Sequence, residues 1–163
     1  MPNKKSKRSH NHPLTARIAA IDALMQVLKQ GRSLADVMGE LRPRVKDADR
    51  SLFQALTYGV LRHYNALTVA LDAFIDKPFK PKDQDLDILL RVSAFQLLFQ
   101  STPDYAVVNE AVKATRTLKK NWASALVNAV LRELLRQQEQ VQQRLREDPR
   151  CRNEIPEWLL THL

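Results

Sequence analysis

The segment PLTARIAAIDALMQVLKQG, residues 13–31, carries the clearest structural pattern in this 163-residue chain. Its large apolar residues recur at spacings of four, three, four and three, at Leu14, Ile18, Ile21, Met25 and Leu28. This periodicity puts an apolar stripe on one face of an α-helix, so it predicts a helix over residues 14–30. Pro13 suits the first turn of that helix, and Gly31 can adopt the left-handed conformation that ends it.

The same apolar periodicity is found in a long segment in the middle of the chain. Asp47 or Asp49 is a suitable cap for its first turn, because an aspartate side chain can accept hydrogen bonds from free backbone N–H groups. The apolar spacing persists for about 25 residues, as far as position 75. We expect a kink or a break within it, either at Gly59 or at the polar cluster of residues 63–65.

Further helices are predicted in the second half of the chain. One spans residues 81–100. Thr102 is a suitable cap for the next, with Pro103 at its first helical position. A final long helix is expected from Trp122 to Leu145. No segment shows the period-two alternation typical of a β-strand, so the chain is predicted to be all α-helical.

Composition excludes several classes of function. The 44% of hydrophobic and 27% of charged residues are typical of a globular domain with its own core. With three glycines in all, neither a dinucleotide-binding G-x-G-x-x-G nor a P-loop can be written. The single cysteine, Cys151, forms no internal disulfide, and no apolar stretch reaches the roughly 18 residues of a membrane helix. These observations predict a cytoplasmic protein with no membrane contact.

Residues able to carry catalysis or bind a metal are sparse. We interpret His63 as a half-buried polar residue near a helix bend, and nothing near Cys151 supplies a base to activate it. Asp83, Asp85 and Asp87 alternate as in a calcium loop, but the central glycine and closing glutamate are missing. We interpret them as acids that complement the positive end of a helix dipole. The sequence predicts no catalytic residue, cofactor site or metal site.

Charge is the informative part of the composition. The chain has 26 Lys and Arg against 18 Asp and Glu, a net charge of +8, which makes polyanions the expected partners. Half of this excess lies in residues 1–12, ahead of the first acid, Asp22. That segment is predicted to be a flexible basic tail. Its RNA-binding candidates are Lys4, Lys5, Lys7 and Arg8.

A second group of cations follows helical spacing in the last third of the chain. No acid lies between Glu110 and Glu133, and the cations between them recur at spacings of three and four. Two further arginines extend this surface if the last two helices pack antiparallel, and Trp122 at their junction offers a plane for base stacking. The RNA-binding candidates of this group are Lys113, Arg116, Lys119, Lys120, Arg132 and Arg136.

Some polar residues lie beside or within apolar stripes. Arg17, Arg62 and Arg91 are as well suited to structural contacts as to RNA, and Arg17 is counted among the RNA-binding candidates. Asn109 and Asn128 fall in otherwise apolar stretches, where a buried amide without partners costs about 1–3 kcal/mol. We predict that these two amides make packing hydrogen bonds between the last two helices.

Four strings, in this order and spacing, resemble the NusB family. They are DRSLFQALTYGVLR at 49–62, LRVSAFQLLF at 90–99, PDYAVVNEAV at 103–112 and ALVNAVLR at 125–132. The resemblance covers roughly residues 14–140. It implies a helical bundle that binds RNA.

Two details resemble one branch, the N-terminal domain of the RsmB (Sun, Fmu) family of bacterial ribosomal RNA cytosine-C5 methyltransferases. Arginine closes both YGVLR and NAVLR, and IPEWLL at 155–160 is similar to the step by which that family enters its catalytic part. Ser93 stands where the family often has glycine. The resemblance implies three regions: a tail at 1–12, a NusB-like domain at 13–148, and a linker with a short helical extension toward the methyltransferase region at 149–163.

The resemblance also implies a function for a longer parent protein. These residues hold neither a glycine-rich S-adenosylmethionine loop nor a Pro-Cys nucleophile motif, so the chain is expected to be a fragment without activity or cofactor of its own. The parent would be an S-adenosylmethionine-dependent methyltransferase of 16S ribosomal RNA. The expected partners are small-subunit ribosomal RNA and the parent's own methyltransferase domain.

Two other functions stay open on the sequence alone. One is a NusB-type transcription antitermination factor that binds RNA together with a ribosomal protein. The other is a structural module that only docks on its own catalytic domain. The three candidate functions differ in whether the chain binds RNA without a protein partner.

Overall fold

Eight α-helices make up most of the computed structural model, which describes residues 14–151. They are α1 (Ala16–Leu28), α2 (Leu34–Leu41), α3 (Arg50–Arg62), α4 (Tyr64–Asp72), α5 (Gln84–Phe99), α6 (Asp104–Thr117), α7 (Ser124–Arg136) and α8 (Gln138–Glu147). Short 3-10 turns join several of them. Within the described range there is no β-strand, and the prediction of an all-α bundle is confirmed. The predicted tail and most of the predicted C-terminal extension lie outside this range.

Helix α1 begins two residues later than its apolar stripe predicts. Thr15 is the N-cap, and its Oγ1 accepts a hydrogen bond from the backbone N–H of Ile18 at 3.1 Å. Leu14 is extended instead, and its N–H donates to the carbonyl of Arg44 at 2.9 Å. At the other end, Gly31 has φ +69°, so the predicted left-handed glycine is confirmed.

The expected break in the long middle segment falls at His63, between α3 and α4. Gly59 lies inside α3 and does not interrupt it. The predicted aspartate cap is wrong, because residues 47–49 form a 3-10 turn and the side chain of Asp49, in the N-cap position, makes no capping hydrogen bond. The turn itself leads the backbone into α3.

Two boundaries in the second half also differ from prediction. Pro103, not Thr102, occupies the N-cap position of α6, and its carbonyl accepts the N–H groups of Ala106 and Val107. The predicted single last helix is broken at Gln137 into α7 and α8. This break lets α8 turn back onto α4 and bury its one fully enclosed residue, Val141.

Helix α5 lies at the centre of the bundle and packs against α1, α3, α4, α6 and α7. Residues 88–97 of α5 are all buried, the pattern of a helix that is surrounded on every side. Ser93 is fully buried, and its Oγ donates to the carbonyl of Leu89 at 2.8 Å. A small side chain at this position therefore lets neighbouring helices approach closely.

Arg91 is the charged residue that this central helix buries. Its guanidinium lies 3.1 Å from Asp87, donates to Thr68 Oγ1 at 2.8 Å, and stacks over the ring of Tyr64 at 4.2 Å. Since Arg91 is only 8% exposed, these contacts supply the partners that a buried charge requires. The structural interpretation of Arg91 is confirmed.

Gly59 provides a test of how closely α3 and α5 approach. A Cβ atom at Gly59 would overlap the ring of Phe95, which is held in a stack with His63 and Phe99. We expect Gly59→Ala to lower the free energy of unfolding by about 1–3 kcal/mol through overpacking. The matched control is Gly39→Ala in α2, where a Cβ meets nothing within 4 Å, and helix propensity should raise stability by roughly 0.5–1 kcal/mol. Denaturant unfolding followed by circular dichroism measures both variants. Equal gains in the free energy of unfolding would contradict the close approach of Phe95 to Gly59.

Candidate nucleic-acid interface

Helices α6 and α7 run antiparallel, as the extended cationic surface requires. Their connection is short and contains the 3-10 turn Asn121–Ala123. At the joined ends, the hydroxyl oxygens of Thr115 and Ser124 are 2.7 Å apart. The cations of α7 therefore lie on the helix next to those of α6. Trp122 in the connection is 63% exposed, so its ring is open to solvent.

Three predicted cations are exposed in the C-terminal half of α6 and just beyond its end, and we call them the α6 cationic patch: Lys113, Arg116 and Lys119. The Lys113 ammonium lies 3.4 Å from Glu110, but its side chain remains 67% exposed. Arg116 and Lys119 have no acidic partner in the described part of the chain. Surface ion pairs of the Lys113 kind are weak, so the patch keeps its positive character.

Lys120 does not belong to this patch, which corrects the prediction of four equivalent cations. Its Nζ lies 2.5 Å from Asp85 and 3.3 Å from Asp83, and it donates to the carbonyl of Lys82 at 2.7 Å. Burial alone would lower the pKa of the Lys120 ammonium, but its hydrogen bonds to Asp85 and Asp83, together with their negative charges, outweigh burial and raise that pKa. Lys120 therefore joins the end of α6 to the start of α5 and is unsuited to contact RNA.

The two cations on α7 have neighbours on their own helix. Arg132 Nε donates to Asn128 Oδ1 at 3.0 Å, and Arg136 lies 2.6 Å from Glu133. The hydrogen bond from Arg136 lowers the pKa of Glu133, which stays ionised and offsets the charge of that arginine. Both arginines lie toward the end of α7 that is far from the Thr115–Ser124 contact, and no contact between them and the cations of α6 is seen in residues 14–151.

The two asparagines do not bridge the last two helices. Asn109 is exposed, and Asn128 accepts its hydrogen bond from Arg132 on the same helix. The prediction of buried packing amides is therefore wrong. Helix α6 buries Val107, Val108 and Ala111, and the helical twist turns position 109 outward.

Arg17 and Lys113 meet in a cleft of about 430 Å³ between α1, α3 and α6, which we call the Arg17 cleft. Arg17 Nη1 is buried and makes no hydrogen bond within residues 14–151. Burial lowers the pKa of the guanidinium, while the nearby carboxylate of Glu110 acts in the opposite direction. A buried donor left unsatisfied is costly, so Arg17 is not held in place by a full set of hydrogen bonds within the bundle.

The surroundings of the Arg17 cleft favour an anion at one side of it. Thr15 lines the cleft at the N-terminus of α1, whose first turn contains no acidic residue, so the positive end of this helix is uncompensated by its own side chains. Asp49 and Glu110 line the cleft as well. A phosphate is therefore expected on the side of the cleft formed by the N-terminus of α1, where Thr15 and Arg17 lie. The Lys113 ammonium, by contrast, already lies 3.4 Å from Glu110.

Some neighbours of Arg17 were missed by sequence analysis. Thr15, Glu110 and Thr117 line the cleft but were not among the candidates. Glu110, Lys113 and Thr117 recur at spacings of three and four, which indicates one face of α6. Their meeting with α1 depends on tertiary packing and has no local signal.

Other predicted residues lie elsewhere. The tail cations, Lys4, Lys5, Lys7 and Arg8, lie outside the described residues. His63 is half-buried at the break between α3 and α4, as its interpretation predicts.

The three aspartates at the start of α5 are paired with cations. Asp83 and Asp85 bind Lys120, and Asp87 binds Arg91. Asp85 and Asp87 lie in the first turn of α5, where their charges complement the helix dipole. In residues 14–151, no group of three or more metal-ligand side chains comes together, and no helix there is long and apolar enough to cross a membrane.

A helical bundle of this kind agrees with the family expected from the motifs. The family model described as "NusB family" matches residues 14–136, and the chain belongs to that family. The matched range begins just before α1 and ends with α7.

Several similar proteins carry the name of a ribosomal RNA methyltransferase. Ribosomal RNA small subunit methyltransferase B of Proteus mirabilis (strain HI4320) is 37% identical over 147 residues, which cover 90% of this chain and 35% of that protein. The protein of the same name from Serratia proteamaculans (strain 568) is 39% identical over 146 residues, covering 90% and 34%. The chain thus spans about a third of the length of these relatives, and the predicted resemblance to this group is confirmed.

Proposed function

We propose that this chain binds small-subunit ribosomal RNA and positions it for a catalytic domain of a longer protein. That domain would transfer a methyl group from S-adenosylmethionine to C5 of a cytosine in the 16S RNA, in the cytoplasm. The proposal is supported by the names of the relatives and by the net charge of +8. The observation that carries the RNA-binding role is the placement of two cations from different helices, Arg17 and Lys113, along one cleft.

The geometry suggests a division of labour between the cations. Arg17 offers a guanidinium at the bottom of a cleft, which fixes one phosphate by directed hydrogen bonds. The α6 cationic patch is exposed and supplies charge to neighbouring phosphates. In this arrangement Arg17 sets the register of the RNA backbone, and the patch supplies most of the salt-dependent affinity.

The test is the salt dependence of binding to a fragment of small-subunit RNA, with and without Arg17. Four to six phosphate contacts predict a slope of log affinity on log salt of about −3 to −5. Arg17→Met should weaken binding about ten-fold or more and reduce the slope by about 0.7–0.9. The same substitution should leave stability unchanged or raise it, because it removes a buried charge without a full set of partners.

Arg146→Met serves as the matched control, since Arg146 is an exposed arginine on α8. It should change neither the affinity nor the slope. A wild-type chain that shows no salt-dependent binding would contradict the proposed function. A loss of stability in Arg17→Met equal to its loss of RNA affinity would show that Arg17 is structural.

The partner requirement separates this proposal from antitermination. The relatives that cover 90% of the chain carry the name of a methyltransferase, which favours binding without a ribosomal protein. Gel-shift measurements on the chain alone, and with a ribosomal protein added, distinguish the two functions, because antitermination predicts RNA binding only with the ribosomal protein. Docking on the parent's catalytic domain is compatible with the proposal as long as it leaves the Arg17 cleft open to RNA.

A further inference from the structure

We propose that a pocket between α3 and the end of α5 receives an unpaired nucleobase of the bound RNA. The pocket, which we call the α3 pocket, has a volume of about 390 Å³, within the range of roughly 300–1,000 Å³ typical of ligand sites. None of its residues was among the RNA-binding candidates from the sequence. The inference rests on the proposed RNA-binding function and names the part of the RNA that this second site contacts.

Aromatic rings form one wall of the α3 pocket. The rings of His63 and Phe95 line it, with centroids 6.0 Å apart and planes 23° from parallel. His63 also stacks on Phe99 at 4.1 Å and 14°, and Phe99 is 41% exposed. Near-parallel rings at an open pocket suit stacking of a further planar ring, and every nucleobase offers such a face.

The absence of a side chain at Gly59 fixes the position of this wall. The Phe95 ring occupies the space that a Cβ at Gly59 would fill, so it lies directly against the backbone of α3. Phe95 is only 7% exposed, which holds its ring in place. The pocket is therefore largely preformed, and a base entering it would have little ordering cost to meet.

The opposite side of the α3 pocket is polar. Ser51, Gln54 and Tyr58 line it, and among the described residues their side chains make no hydrogen bond. The Gln54 amide carries both a hydrogen-bond acceptor and a donor, and the hydroxyls of Ser51 and Tyr58 can act as either. Together they match the donor and acceptor groups on the edge of a nucleobase. Arg62 lines the same pocket. The aromatic wall, which can stack on a base, thus faces the polar side chains that can hydrogen-bond to the edge of that base.

The α3 pocket and the Arg17 cleft flank the same helix. Leu52 and Leu56 of α3 line the Arg17 cleft, while Ala55 and Tyr58 line the pocket. These positions are about one helical turn or less apart along α3. A strand whose phosphate is held at Arg17 can therefore cross the exposed face of α3 and place a neighbouring base in the pocket. This continuity favours RNA over a peptide as the occupant.

The experiment fills the pocket without touching a cation. Ala55 is an exposed alanine of α3 that lines the pocket, so Ala55→Trp should block it with little effect on folding. Ala35→Trp, at an exposed alanine of α2 outside the pocket, is the matched control. Binding is measured to a single-stranded RNA and to a series in which one abasic residue is moved along it. Ala55→Trp should weaken binding about 5- to 100-fold, the effect of losing one stacked base, without changing the salt slope.

The abasic series decides whether a base occupies the pocket. At one position the abasic residue should weaken binding to the wild type, and Ala55→Trp should cause no further loss with that RNA. RNA binding that is unaffected by Ala55→Trp and by every abasic position would overturn the pocket and leave the proposed function standing. No RNA binding by the wild type would overturn both. Gln54→Ala, a milder exposed substitution, should weaken binding in the same direction, and full affinity in that variant would oppose the role of the polar side.

Discussion

Reversing the charge of the α6 cationic patch, with Lys113, Arg116 and Lys119 all replaced by glutamate, is expected to weaken RNA binding by at least about 100-fold at low salt. Each replacement removes one cation from the phosphate backbone and adds a repulsive charge. Because all three side chains are exposed, the fold should be unaffected. The slope of log affinity on log salt should become shallower by about 2–3 if each cation contacts one phosphate.

A second triple variant controls for the change in net charge. Lys29, Lys77 and Arg146 are exposed and lie outside α6. Their replacement by glutamate changes the net charge by the same amount, so only long-range attraction should fall, and the salt slope should stay near that of the wild type. Equal losses in the two triple variants would mean that overall charge, and not the α6 cationic patch, attracts the RNA.

Replacing Lys120 by methionine is expected to lower the free energy of unfolding by about 2–4 kcal/mol. The substitution keeps the length of the side chain but leaves Asp83 and Asp85 without their cation, although their side chains are only 9% and 20% exposed. It also removes the hydrogen bond that ties the end of α6 to the carbonyl of Lys82. Denaturant unfolding at neutral pH measures the loss.

Lys113→Met is the matched control for Lys120→Met, because Lys113 makes a single exposed ion pair and should contribute about 0.5 kcal/mol or less. The pH dependence adds a second readout. Since the folded state raises the pKa of Lys120, its contribution is complete at neutral pH and is lost as the pH rises through that folded-state pKa. The gap between wild type and Lys120→Met should therefore close only in strongly alkaline buffer. Equal stability of the two variants at neutral pH would contradict the bridging role.

Apolar periodicity was sufficient to predict the helical class and most of the helices. The stripe of residues 14–30 became α1, and the polar cluster near His63 marked the break between α3 and α4. These features are local, because a stripe and its interruption are both visible within a few turns. The resemblance of the four motifs to the NusB family then supplied the family, and the family match over residues 14–136 confirms it.

The errors arose where a distant residue decided the outcome. Lys120 resembles its neighbour Lys119 in sequence, but its partner Asp85 is 35 residues away and meets it only through tertiary packing. Gln137 lies in a run of good helix formers, and only the position of α4 shows why the helix breaks there. The same limit applied to the α3 pocket, whose wall needs α5 beside Gly59.

One error was avoidable from the sequence. Asn109 was placed among buried residues because of its apolar neighbours. Its spacing of four from Tyr105 and seven from Arg116, both exposed, puts it on the solvent face of the same helix. Position on the helical wheel, and not the character of adjacent residues, determines burial.

The late position of α5 in the chain governs when the bundle can close during synthesis. Helices α1, α3 and α4 all pack against α5, yet α5 begins only at residue 84. A growing polypeptide that has left the ribosome only as far as α4 can pair α1 with α3, but it lacks the helix that fills the centre of the bundle. Completion of the apolar core therefore waits for residues 84–99 to emerge.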